Sequence, residues 1–234
     1  ETNTLGIYTA IIIEPRKHKA MEFVMQNFTD MLDKRWNFII FHGNQNEEYI
    51  KNIIDTKLKN NSDRIKLINL NIDNLSINDY NALLYDKKFY DMIPTEIFLI
   101  FQTDSMICSD FKDNIYKFIN YDYVGAPWKD NQNVGNGGLS LRKKNKMIEI
   151  IDKCEKRYTE PNQLLNEDVF FSTTCADIVN INKPNFEDSK QFSIEQVYSD
   201  NSFGIHKAWL WHNDEVKEKI NKKCTGFNEL TNLQ

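Results

Sequence analysis

The sequence predicts an α/β fold, a mostly parallel central sheet with helices on both faces and a mixed, partly antiparallel C-terminal half. Two observations predict it. Strand-like and helix-like segments alternate from Leu5 to Phe101, and beyond Asp104 the alternation loosens into short strands, short helices and a loop rich in Gly and Asn. The length agrees, because 234 residues make one large domain that buries about 70% of its unfolded surface and needs no cross-links.

Leu5 to Glu14 is rich in β-branched residues and runs into Pro15, the pattern of a buried strand ended by a turn. Ala20, Phe23, Val24, Phe28, Met31 and Leu32 then recur at helical spacing. The unit repeats as a strand at Phe38 to Phe41, a helix from Glu47 to Leu58, a strand at Ile65 to Leu70, a helix from Ile77 to Tyr90 and a strand at Ile97 to Phe101. A helix at Phe111 to Ile119, a strand at Tyr121 to Val124 and a strand at Gly138 to Arg142 follow. No internal repeat, linker or low-complexity tract divides the chain, so residues 1–234 are expected to form one domain.

With 29 Lys and Arg against 34 Asp and Glu, the net charge of −5 gives no global attraction for nucleic acid. The basic clusters at Arg16 to Lys19 and Arg142 to Lys146 read as solvated helix faces. No apolar run approaches the roughly 18 residues of a membrane span. Cys108, Cys154, Cys175 and Cys224 show neither C-x-x-C nor zinc-ligand spacing, so free thiols in a reducing compartment are expected. The chain opens on Glu1 without a leader pattern, which predicts a piece of a longer polypeptide or a processed form, and the expected free thiols point to the cytoplasm. Oligomeric state is not readable.

Four segments carry residues suited to chemistry. The strand Glu96 to Phe101 runs directly into Gln102-Thr103-Asp104-Ser105, at the carboxyl edge where open α/β sheets bind ligands. Asp104 there either caps the turn or supplies an oxygen to a hard divalent cation that also touches a diphosphate. Four of the eight glycines, Gly125, Gly135, Gly137 and Gly138, lie within one stretch, so the chain there is either a plain Asn136-Gly137 turn or backbone that approaches a ligand closely. Asn166-Glu167-Asp168 precedes an apolar run, so its acids either cap a helix or provide a general base. Phe203-Gly-Ile-His206-Lys207 sets an imidazole and an ammonium beside a glycine, with Trp209 and Trp211 following.

Together these segments resemble the core of GT-A-fold glycosyltransferases, whose ordered elements are a DxD-type motif after a central strand, a glycine-bearing loop, an xED acid pair and a late histidine. The blocks Phe101 to Ser105, Tyr123-Val-Gly-Ala-Pro-Trp128, Gly135 to Arg142, Glu167-Asp-Val-Phe-Phe171 and Phe203 to Lys207 are similar to an unassigned GT-A-like family found in bacteria and large viruses. The resemblance spans nearly the whole chain and implies a Rossmann-like nucleotide-binding half (1–105) and an acceptor and catalytic half (106–234).

By the same resemblance Asp104 and His206 hold Mn²⁺ or Mg²⁺, Asp168 is the base with Glu167 beside it, and Gly137 and Gly138 line the donor sugar. Gln102 replaces the acid that addresses the ribose. Glu14, Arg16, Asn81, Thr103, Ser105 and Lys207 complete the expected donor contacts, while Trp128 and Asn136 are expected on the acceptor side. The implied activity is a hexosyltransferase-type, metal-dependent and inverting sugar transfer from a nucleotide sugar, expected to be a UDP-sugar, to a glycan or glycoprotein hydroxyl. The rival class is a binding module that keeps the fold without turnover, which Gln102 keeps open.

Overall fold

The computed structural model describes residues 6–130, 133–174 and 178–234. Strand β1 (Tyr8–Ile13) is buried along its whole length, as expected of a strand flanked on both sides. It pairs in parallel with β2 (Trp36–His42), which pairs in parallel with the edge strand β3 (Ile65–Asn69). On its other side β1 pairs in parallel with β4 (Ile97–Phe101). Two antiparallel strands, β7 (Leu139–Lys143) and β6 (Tyr123–Val124), extend the sheet to the order β3-β2-β1-β4-β7-β6. The strand β5 (Ser105–Ile107) belongs to a second, small sheet with β10 (Ser193–Ile194) and β11 (Gly204–His206), and β8 (Tyr158–Glu160) pairs with β9 (Gln163–Leu164).

One face of the main sheet packs on α1 (Met21–Met31), α2 (Glu47–Lys57), α8 (Asp214–Lys223), α9 (Phe227–Asn232) and the small sheet. The helices α3 (Ile77–Leu84), α4 (Lys87–Asp91) and α5 (Lys144–Lys153) cover the other face, with Phe170 and Phe171 from the turn after α6 (Glu167–Val169). In α1 the buried Met21, Val24, Met25 and Phe28 fall at the 3.6-residue period, so one stripe is removed from water. A short α7 (Phe186–Ser189) completes the set.

The expected helix from Ile77 to Tyr90 is two helices. The Asp86 carboxylate accepts the Lys88 N–H from extended backbone, starting α4 where α3 has ended. Ser109–Lys117 is wound as a 3₁₀-helix rather than an α-helix, with Ile115 buried and Phe111 and Tyr116 packed in part against the core. The three-residue strand β5 escapes detection because no period shows over so short a run. Leu5 and Cys175 lie outside the described residues.

The free-thiol expectation fails. Cys108 and Cys224 are joined in a disulfide that ties β5 to the end of α8, and none of the described cysteines is free. The two positions are 116 residues apart and carry no spacing signal, so only the tertiary approach reveals the pair. The argument for a reducing compartment, and with it for a cytoplasmic location, falls with the free thiols. Among the described residues no helix is long and apolar enough to cross a membrane.

Candidate functional site

Because β1 and β4 run parallel, the residues that follow them share one edge of the sheet, and antiparallel β7 brings the residues that precede it to the same edge. A cleft of about 430 Å³ opens there. It is lined by Glu14, Arg16, Asn81, Gln102, Thr103, Asp104, Asn136, Gly137, Gly138, Glu167, Asp168, His206 and Lys207, and also by Tyr80 and the Asn74 to Ile77 segment. Ser105 and Trp128 do not line it. The Ser105 hydroxyl instead closes the turn after β4, donating to the Gln102 carbonyl at 2.7 Å and accepting the Gln102 N–H at 3.0 Å.

After β1 the nearly buried Glu14 carboxylate grips the exposed Arg16 guanidinium as a fork, at 2.8 and 2.9 Å. The Asn46 amide donates to the Glu14 and Arg16 carbonyls and fixes the shape of that loop, a role without a sequence signal. After β4, Gln102 reaches the Tyr80 hydroxyl at 3.4 Å, and the Asp104 side chain is mostly covered, held by His206 and Lys207. The antiparallel register of β11 with β5 sets His206 opposite Ser105, one residue beyond Asp104. Lys207 takes a left-handed backbone conformation (φ 49°), which lets its N–H donate to the Asp104 carbonyl at 3.1 Å and its Nζ approach Asp104 Oδ2 at 3.2 Å.

The His206 ring is held between two carboxylates, Nε2 lying 3.3 Å from Asp104 Oδ1 and Nδ1 3.4 Å from Glu195 Oε1. Burial pushes the imidazole down, but the two acids outweigh it and raise the ring to about 9. Burial likewise pushes the Asp104 carboxyl up, and His206 with Lys207 overcomes this and holds it at about 2. Neither ring nitrogen nor Asp104 Oδ1 makes an aligned hydrogen bond, although all three atoms are buried. Asp104 Oδ1 and His206 Nε2 are therefore adjacent atoms paired only with each other and without an aligned hydrogen bond, on residues that line the cleft, and once the imidazole is deprotonated they fit a divalent ion whose remaining positions stay open. Among the described residues no three His, Cys, Asp or Glu side chains converge as a metal-holding group, so such an ion would complete its shell with substrate oxygens or water.

The glycine loop must pass very close to these groups. A Cβ added at Gly138 would lie 2.1 Å from His206 Nε2, and one at Gly137 would lie 2.3 Å from Glu167 Oε1. Asn136 spends its side chain on the loop, accepting the Gly138 N–H at 3.0 Å and donating to Glu195 Oε1 at 3.1 Å.

The two neighbouring acids have different fates. Glu167 is buried and bound by both terminal nitrogens of the buried Arg142, at 2.5 and 2.9 Å, so its carboxylate is committed. Its own N–H donates to Asn81 Oδ1 at 3.0 Å, which gives Asn81 a structural contact within the cleft wall. Asp168 accepts the N–H groups of Val169 at 2.8 Å and Gly137 at 3.2 Å. Burial, followed by the Glu167 charge, pushes its carboxyl up to about 6 against the pull of those donors and of Arg142. Glu195 carries no sequence signal, and Arg142 reads as part of a solvated basic cluster, yet Glu195 is buried and Arg142 fully so.

The family model described as "Protein of unknown function (DUF5672)" matches residues 64–206, a span that holds Asp104, the glycine loop, Asp168 and His206. The chain belongs to this family. No curated protein sequence matches it. In structure this DUF5672 member is similar to the apo form of the glycosyltransferase GlyE from Streptococcus pneumoniae TIGR4, with a TM-score of 0.58 at 11% identity over 96% of this chain and 62% of that one. It is also similar to the mannosyltransferase PcManGT from Pyrobaculum calidifontis in complex with GDP-Man and Mn²⁺, with a TM-score of 0.55 at 12% identity over 78% of this chain and 55% of that one. At such identities the likeness shows the fold, which is GT-A-like. The chain spans less than two thirds of either of these structures' own length.

Proposed function

We propose that this protein is a metal-dependent, inverting glycosyltransferase of hexosyltransferase type, moving a sugar from a nucleotide-sugar donor to a hydroxyl of a glycan or glycoprotein. The observation that carries the reading is the presence in one cleft of two kinds of group: the adjacent pair Asp104 Oδ1 and His206 Nε2, which make no aligned hydrogen bond, and the carboxylate of Asp168, raised to about 6. The first suits a diphosphate with its cation, the second suits a base working near neutrality.

In this reading Asp104 and His206 hold Mn²⁺ or Mg²⁺, which when bound supplies the Lewis acidity that neutralises a departing nucleoside diphosphate. Lys207, salt-bridged to Asp104, places an ammonium on the same side, where it attracts phosphate oxygens. Arg16, Glu14 and Gln102 line the cleft and would meet the nucleoside, and Gly137 and Gly138 would leave room for the donor sugar. Asp168 accepts the proton of the attacking acceptor hydroxyl. Since Glu167 is bound to Arg142, a single base remains, which supports one in-line displacement with inversion at the anomeric carbon. Residues 1–105 would serve the nucleotide, residues 106–234 the acceptor and the chemistry. The GDP-Man and Mn²⁺ of the neighbouring mannosyltransferase support the donor class and the metal. They also make GDP-mannose the donor to test directly after UDP-sugars.

The deciding experiment follows nucleoside diphosphate release from a panel of UDP-sugars and GDP-mannose with Mn²⁺, with Mg²⁺ and with EDTA. Metal-dependent release that Asp168→Asn abolishes supports the reading. Binding of a donor without any release, across the panel and with glycan acceptors present, would make the protein a binding module instead.

A further inference from the structure

We propose that Arg142 is the positioning residue for Asp168, acting through Glu167 and the Gly137 loop so that the carboxylate stays in the cleft and in its working range. This rests on the reading of Asp168 as the base. Three groups converge on one point: a Cβ built on Gly137 would lie 2.3 Å from Glu167 Oε1, 2.9 Å from Asp168 Cβ and 3.1 Å from Arg142 Nη2. Hydrogen bonds close the arrangement into a ring. Arg142 Nε donates to Ser140 Oγ at 2.9 Å, Ser140 Oγ donates to the Gly137 carbonyl at 3.0 Å, and the Gly137 N–H donates to Asp168 Oδ2 at 3.2 Å. From the other side the two Arg142 terminal nitrogens clamp Glu167, the chain neighbour of Asp168.

The guanidinium is itself fixed, because it is fully buried and lies over the Tyr123 ring at 4.7 Å and near the Phe171 ring at 5.8 Å. A planar guanidinium puts three separate nitrogens on Ser140 Oγ and on both Glu167 oxygens, a span that the single nitrogen of lysine does not cover. Charge adds a second effect. Glu167 is an anion next to Asp168, and Arg142 cancels it; the remaining ionisable groups around the base are Tyr80, Tyr85 and Tyr123 on the surrounding elements, with Asp104, His206 and Lys207 along the same cleft. Removing Arg142 alone leaves an uncompensated anion beside the base, and removing the Glu167 charge alone leaves an uncompensated cation.

The first readout is Asp168 itself, which needs no knowledge of the donor; the second is kinetic and uses the nucleotide sugar that the donor panel identifies. Carboxyl-¹³C aspartate is incorporated into the full chain, the Asp168 resonance is assigned as the one lost in Asp168→Asn, and its titration is followed by NMR. Glu167→Gln should lower the midpoint by about one unit or more and Arg142→Met should raise it by a similar amount. The paired variant Arg142→Met/Glu167→Gln, which buries no lone charge and so keeps the fold if the single Arg142 variant loses it, should return the midpoint toward that of the parent. Arg142→Lys retains the charge but not the ring, so it should keep the midpoint while reducing kcat for nucleoside diphosphate release by about 10-fold or more at unchanged KM. Identical Asp168 midpoints in folded Glu167→Gln and in the parent, or full kcat in Arg142→Lys, would overturn the proposal. A fully active Asp168→Asn would refute the base assignment, while the midpoint shifts among the other variants would still report whether Arg142 and Glu167 govern this carboxylate.

Discussion

Replacing Asp168 by Asn should make the protein more stable and less active at once, and the stability part can be worked from the structure. The carboxyl is raised from 3.8 to about 6 by burial and by Glu167. A shift of about two units corresponds to about 3 kcal/mol of folding free energy at pH 7, at about 1.4 kcal/mol per unit. The sign follows from the direction: an acid whose folded value lies above its unfolded value costs nothing below the unfolded value, and its penalty grows as pH rises from about 4 to 6 and is complete above that. Asparagine carries no charge and so no such penalty. Its single carbonyl oxygen can accept the N–H of Gly137 or of Val169 but not both, so about 1 kcal/mol returns as a lost hydrogen bond. The net gain is about 2 kcal/mol at pH 7, or about 4–8 °C in Tm for a chain of this size.

Calorimetric unfolding of both proteins in EDTA at pH 7 and pH 5 measures this. At pH 5 the penalty in the parent is about half its value at pH 7, so the advantage of the variant should shrink to about 1 kcal/mol or less. In parallel, kcat for sugar transfer should fall by about 100-fold or more with donor affinity nearly intact, the usual size of a general-base contribution. A variant that is no more stable at pH 7, or whose advantage does not diminish at pH 5, would refute the raised carboxyl. Stabilisation without loss of turnover would leave the electrostatics standing and remove Asp168 from the base role.

Four further outcomes are expected. Calorimetry should find that UDP or GDP binds much more tightly with Mn²⁺ than with EDTA, and that Asp104→Ala removes the difference; equal affinity under both conditions would end the metal assignment. Because His206 is raised to about 9 and a metal ligand must be deprotonated, Mn²⁺ binding near pH 7 should release close to one proton, detected as a dependence of the binding enthalpy on buffer ionisation. An α-linked nucleotide sugar should yield a β-glycoside, read from the anomeric proton by NMR, and an α product would refute inversion while sparing the fold. Reducing the buried Cys108–Cys224 disulfide, or substituting both residues by Ser, should lower Tm by about 5 °C or more through the freed 116-residue loop; an unchanged Tm would show that the bond does not stabilise the native state.

Most of the main sheet was legible because parallel, doubly covered strands write themselves as continuous apolar runs: β1 and β4 appear in the sequence as Ala10-Ile-Ile-Ile13 and Ile97-Phe-Leu-Ile-Phe101. The carboxyl-edge position of Asp104 followed directly from that reading. The small sheet was not legible, since β5, β10 and β11 hold two or three residues each, too few to show a period, and β5 meets β11 only by pairing across about 100 residues of chain. Glu195 went unseen because it follows one of these two- and three-residue strands, and it reaches His206 only because β10 lies parallel to β11.

The acid pair at Glu167 and Asp168 shows where local reading stops. Adjacent in sequence and alike in charge, the two are separated chemically by residues no spacing connects to them: Arg142, 25 positions earlier, takes Glu167, while Gly137 donates to Asp168. The same basic cluster that reads as a solvated face contributes that arginine, because β7 is covered on both faces: Arg142 is as buried as Leu139 to Leu141 before it, and only Lys143, at the end of the strand, reaches out to Asp122. Periodicity over a five-residue strand cannot tell which neighbour is buried. Once the strand is placed between β4 and β6 the choice is forced, since a guanidinium in that layer must find an anion, and Glu167 is the one that meets it.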